Sequence, residues 1–156
     1  MANNKKSAKA VKLSPNIVEI FSSKHYLPRD LLSKLSSANL QKLNKIASEE
    51  SPDISRGDRI KALRVLAQKG GKEGCKMIGS VIGNKKENSL VRAAAATIIS
   101  LCPPEDAEKR LIDNLSISDE LVLSKVDKSL GAIGGKKAFD AIREIPALKT
   151  DFLKKR

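Results

Sequence analysis

His25 is the single histidine of the chain, and it stands in "FSSKHYLPRD" at the expected C-terminal end of a helix. A histidine there meets the negative end of the helix dipole, and no serine or cysteine stands beside it in a recognisable nucleophile motif. Cys75 and Cys102 show neither a CxxC spacing nor a nearby histidine, so neither a zinc site nor a disulfide framework is expected. Reduced, buried and inert thiols are the reading. The stretch "IGSVIGNKKENS" holds glycine, lysine and serine, but Gly83 follows Gly79 by four positions and Asn84 separates it from Lys85. That spacing is not the G-x-x-x-x-G-K-[ST] of a phosphate loop, and a loop with solvated lysines accounts for it. The acidic pairs Glu105-Asp106 and Asp119-Glu120 fall at expected helix starts, where carboxylates favour the dipole. Two arginines, Arg59 and Arg92, could bind an anion. A structural role is expected instead, with each guanidinium holding nearby carboxylates or carbonyls in fixed contacts. No catalytic residue, metal site or cofactor site follows from these residues.

What must position them is a helical chain. In 156 residues the aromatic content is 3 %, with no Trp, one Tyr and three Phe, so the core is left to Leu, Ile, Val and Ala. This composition predicts an all-α fold. The basic opening "MANNKKSAKAVK" is not followed by an apolar stretch of signal-peptide type, and no run approaches the ~20 apolar residues that span a bilayer. With no expected disulfide, a cytoplasmic location is the expectation.

A period of about thirty residues organises the chain. With Asp58, Val91 and Val122 as position 1, the first helices read "DRIKALRVLAQKG", "VRAAAATIISLCP" and "VLSKVDKSLGAIG". Position 5 is Ala62, Ala95 and Val126, position 9 is Leu66, Ile99 and Leu130, and position 10 is Ala67, Ser100 and Gly131. The second helix keeps the same register: Gly74, Ala107 and Ala138 at position 17, Ile78, Leu111 and Ile142 at position 21, then Ile82 and Leu115 at position 25. Steps of four place these residues on one helical face. Ser55, Asn88 and Ser118 offer N-caps, Asp58 stands at a capping-box position, and Gly70-Gly71, Pro103-Pro104 and Gly134-Gly135 mark the turns. The run Ala93–Ala96, with Ala95 and Ala96 at its centre, is expected where neighbouring first helices come close.

Residues 56–146 thus read as three helix-turn-helix units. Residues 13–55 read as an N-terminal helical cap or degenerate repeat, with helices at 15–25, 28–35 and 38–50. A basic disordered tail is expected over 1–12 and a basic C-terminal tail over 147–156.

The segments "LVRAAAATIISLCPPEDAEKRLIDNL" and "LGAIGGKKAFDAI" resemble HEAT-like repeats of the phycobilisome-lyase type, whose units run V-R-x-x-A-A-x-A-L-G-x-L-G. Arg59 and Arg92 match the arginine of that pattern, whereas Leu123 and Asp127 depart from it. The resemblance implies a short right-handed α-solenoid of antiparallel helix pairs that acts by binding and carries no chemistry of its own. Some relatives of this kind are enzymes. The alkylpurine DNA glycosylases rely on aromatic residues that this chain lacks, and a bilin-lyase-like subunit finds no residue that argues for it.

The charge of +12 is unevenly spread. Residues 1–12 carry +4, 13–55 are neutral, 56–88 carry +6, 89–120 carry −3 and 121–156 carry +5. On the second helices position 15 is Lys72, Glu105 and Lys136, position 16 is Glu73, Asp106 and Lys137, and position 19 is Lys76, Lys109 and Asp140. A phosphate-tracking groove gains from an unbroken basic row, and this one is interrupted in the middle. Lys72, Lys76, Lys109, Arg110, Lys136 and Lys137 are therefore read as contacts to a protein partner of mixed or acidic charge, with nucleic acid as the alternative.

Overall fold

A computed structural model describes residues 29–48 and 54–144, together with Ile17 and Phe21. The expectations for the tails 1–12 and 147–156, for His25 and for all but Ile17 and Phe21 of the helix at 15–25 lie outside the described residues. Among the described residues the chain is all-helical: α1 (Arg29–Ser33), α2 (Ser37–Ser48), α3 (Arg56–Lys69), α4 (Gly71–Gly83), α5 (Ser89–Ile98), α6 (Pro104–Ile112), α7 (Glu120–Ile133) and α8 (Lys136–Arg143). A 3₁₀ turn, Ile99–Leu101, follows α5. No helix among them is long and apolar enough to cross a membrane.

Local chemistry sets the helix ends. The Ser55 hydroxyl accepts from the Asp58 amide at 3.1 Å and donates to the Asp58 carboxylate at 2.7 Å, so Ser55 caps the start of α3 through its side chain, without the backbone N–H bond of the capping box that the sequence offered. Asn88 Oδ1 accepts from the Leu90 amide at the start of α5. The cap of α7 differs from expectation: Asp119, not Ser118, accepts from the Val122 amide, at 3.2 Å. A carboxylate serves better there because the same group also meets a serine and an arginine from the preceding unit. Between α3 and α4 the chain reverses through Gly71, whose φ of 53° suits a residue without Cβ. Pro104 occupies the first turn of α6, where its missing N–H leaves no bond unmade.

Consecutive helices pack on one another, α2 on α3, α3 on α4, α4 on α5, α6 on α7 and α7 on α8, while α5 and α6 both pack on the 3₁₀ turn between them. α5 packs on α3, α4 and α7, α6 packs on α4 and α8, and α2 covers α3 and α4. The repeat positions face this core. Ala62, Ala95 and Val126 are fully buried, as are Leu66, Ile99 and Leu130, and so are Gly74, Ala107 and Ala138 and then Ile78, Leu111 and Ile142. Position 10 is buried only as Ala67, since Ser100 and Gly131 are exposed. Ala93, Ala95 and Ala96 are buried in the helix that has neighbours on three sides, and short side chains let those neighbours approach.

One expectation is overturned. Cys75 on α4 and Cys102, after the 3₁₀ turn, form a disulfide with a Cα–Cα distance of 6.0 Å. The spacing of 27 residues hid it, because the bridge follows the hairpin geometry that folds α5 back along α4 and not any local motif. Reduced cysteines were a premise of the cytoplasmic expectation, and that premise falls.

Candidate interaction surface

Arg59 and Arg92 lie within the core, at 2 % and 5 % exposure. Nη2 of Arg59 donates to the Ala47 carbonyl in the last turn of α2 at 3.0 Å, and its guanidinium forms an ion pair with Glu87, just ahead of the α5 cap. Arg92 repeats the arrangement one unit later. Its Nε donates to the Ile82 carbonyl in the last turn of α4 at 2.9 Å, and its Nη1 reaches Asp119 at 3.4 Å. Each arginine thus ties the end of one helix to the start of another 27 or 28 residues ahead of it, and neither is open to a ligand. Both guanidiniums are held by a carboxylate and a carbonyl from neighbouring elements. Leu123 stands at the third equivalent position, and the ladder stops there.

Asp119 is the centre of the second of these clusters. The Ser89 hydroxyl donates to its carboxylate at 2.5 Å. That bond, then the Val122 amide, the Arg92 charge and the Leu121 amide, hold its pKa below the ordinary carboxylate value, against a smaller opposing effect of burial.

The six residues assigned to partner contact divide. Lys72 and Lys76 on α4, Lys109 on α6, and Lys136 and Lys137 on α8 are exposed. Lys109 and Lys137 come together at an open groove of about 610 Å³ between α6 and α8, with Glu105, Glu108, Ile112 and Asp113. Arg110 turns the other way, and its stem lies across Gly79 of α4. Lys72 and Lys76 are not part of that groove. Every one of the exposed five is solvated, and acidic groups stand among them.

Sequence reading missed Glu108. Its Oε1 accepts from the Gly135 and Ala138 amides, each at 3.2 Å, so α6 supplies the N-terminal cap that Gly135 itself lacks. The only signal was a cap position filled by glycine, and the capping carboxylate lies 27 residues upstream of it. It also missed Asn114, whose Nδ2 donates to the Arg110 carbonyl at 2.8 Å and reaches the Gly79 carbonyl at 3.4 Å. Among the described residues no cluster of three or more His, Cys, Asp or Glu could hold a metal. No family model, curated protein or solved structure matches this chain.

Proposed function

We propose that the chain is a short right-handed α-solenoid of HEAT-like repeats that works as a non-catalytic adaptor, binding another protein through the exposed sides of α4, α6 and α8. On this reading the three repeats take up 56–146 and the N-terminal cap 13–55, stretches of which 145–146, 49–53 and most of 13–28 lie outside the described residues. The observation that carries this reading is the charge pattern of that surface. Lys72 and Lys76, then Glu105 and Asp106, then Lys136 and Lys137 follow one another from α4 to α6 to α8, and in the groove Lys109 and Lys137 alternate with Glu105 and Asp113 around Ile112. An alternating surface matches a protein with its own mixed charges, whereas a nucleic-acid backbone gains affinity with each successive phosphate it meets.

The test is fluorescence anisotropy of labelled duplex DNA, single-stranded DNA and RNA, titrated with the protein at low and at physiological salt. All three are expected to bind weakly and to be released by salt. Binding of one form that survives physiological salt would overturn the adaptor reading in favour of nucleic acid. In parallel, the doubly reversed variant Lys72→Glu with Lys136→Glu is expected to lose a protein partner that the wild type cross-links, while keeping its circular dichroism spectrum. An unchanged cross-link would remove this surface as the contact.

A further inference from the structure

Among the described residues three arginines are buried or half-buried, and they are not equivalent. Arg59 and Arg92 each have a carboxylate and a carbonyl, as described above. Arg110 has neither: among the described residues no carboxylate pairs with its guanidinium, and its enclosed Nε, like that of Arg59, has no hydrogen-bond partner. Its aliphatic stem is held in place by Gly79. A Cβ built on Gly79 would stand 2.6 Å from Arg110 Cδ and 3.3 Å from Arg110 Cβ, so the stem occupies the space that any side chain at position 79 would need. Asn114 braces the other side, since its amide bonds the carbonyls of Arg110 and of Gly79.

A half-buried guanidinium without an internal counter-charge is unfavourable in the free protein, because it has lost part of its hydration and gained nothing for it. An incoming anion would find part of that loss already incurred, which favours a strong contact. The flanking charge does not supply the anion. Asp106 lies one helical turn before Arg110 on α6, close enough in sequence to form a surface pair, and the two do not meet.

We propose that Arg110, seated on Gly79, is the anchor at which a carboxylate side chain of an acidic protein segment docks on the α4–α6 face. This rests on the adaptor reading and names the chemistry of the partner. The surplus of basic residues over 56–88, which includes Lys72 and Lys76 of α4, favours an acidic segment approaching from that side. The planar fork of Arg110 then sets where it binds, through paired N–H···O bonds that a lysine cannot make.

The experiment titrates a fluorescein-labelled poly-glutamate peptide, followed by anisotropy, into wild type and four variants, each first checked for an unchanged melting temperature. Arg110→Gln is expected to weaken binding by about tenfold or more, as loss of a charge-assisted pair does. Arg110→Lys is expected to recover only part of it. Gly79→Ala leaves every charge in place but displaces the stem, and it is expected to weaken binding nearly as much as Arg110→Gln. Lys128→Gln, on the exposed side of α7, is expected to change it by less than about twofold, as a single screened surface charge does. Equal effects of Arg110→Gln and Lys128→Gln, or full binding by Gly79→Ala, would overturn the anchor. If the peptide then still depends on Lys72 and Lys136, the adaptor reading stands without Arg110. If instead single-stranded DNA binds more tightly than the peptide at physiological salt, both readings fail together.

Discussion

The side chains of Arg59 and Glu87 are 3 % and 5 % exposed, so removing one leaves the other's charge in the core. Arg59→Met should therefore cost about 3 to 5 kcal/mol in urea unfolding, the range for breaking a buried pair on one side. Arg92→Met should cost less, because its partner Asp119 is 23 % exposed and can turn to water. An equal cost for the two would mean that the carbonyl bonds, common to both, dominate. Asp119 also sets a pH dependence. Its folded pKa lies below its unfolded one, so between the two values the unfolded state binds more protons and stability rises with pH. The contribution is complete above the unfolded pKa and is lost as pH falls through the folded value. Acid titration of stability should thus show a shallower acid limb in Asp119→Asn than in wild type. The arginines were legible in the sequence as a recurring feature one repeat apart. Their carboxylates were not, because Glu87 and Asp119 take different places relative to the next cap, one before it and one as the cap itself.

For single helices the most exposed test is α5. Ala95 is fully buried on a helix that touches α3, α4 and α7, so Ala95→Leu should overpack the centre at a cost of about 1 to 3 kcal/mol, seen as a lower melting temperature. An unchanged melting temperature would show that this face can yield. α8 depends on another element for its start. Glu108→Ala removes the carboxylate from the Gly135 and Ala138 amides and should cost about 1 kcal/mol, with faster hydrogen exchange confined to α8 and its turn. Exchange that quickens equally throughout would show that α8 unfolds only with the rest. Helix existence and the buried face of each helix were readable from the steps of four and from the Gly and Pro punctuation, because burial of a stripe needs only local periodicity. The third cap falls on Asp119 and not on Ser118. Both candidates are competent caps, and what selects Asp119 is its contact with Ser89 and Arg92, residues that local sequence does not bring near.

Taken as a whole, the molecule is a series of helix pairs cross-linked at one place by the Cys75–Cys102 disulfide. Closing a loop of 27 residues restricts the unfolded chain and corresponds to about 3 to 4 kcal/mol by chain entropy. Urea unfolding with and without dithiothreitol should show a loss of that order in the reduced protein, and the double variant Cys75→Ala with Cys102→Ala should no longer respond to the reductant. Identical curves for wild type in both conditions would mean that the bridge is not present in solution. Composition and period alone determined that the chain is helical, where its helices turn and which residues they bury, since these depend on intrinsic propensity and on neighbours three and four positions away. Only the tertiary structure decided the pairings across the period: Arg59 with Glu87, Arg92 with Asp119, Glu108 on the amides of α8, the two cysteines, and the seating of Arg110 on Gly79. Each joins groups roughly thirty residues apart in sequence, and the distance between such groups is set by how helices stack, a property that no local pattern encodes.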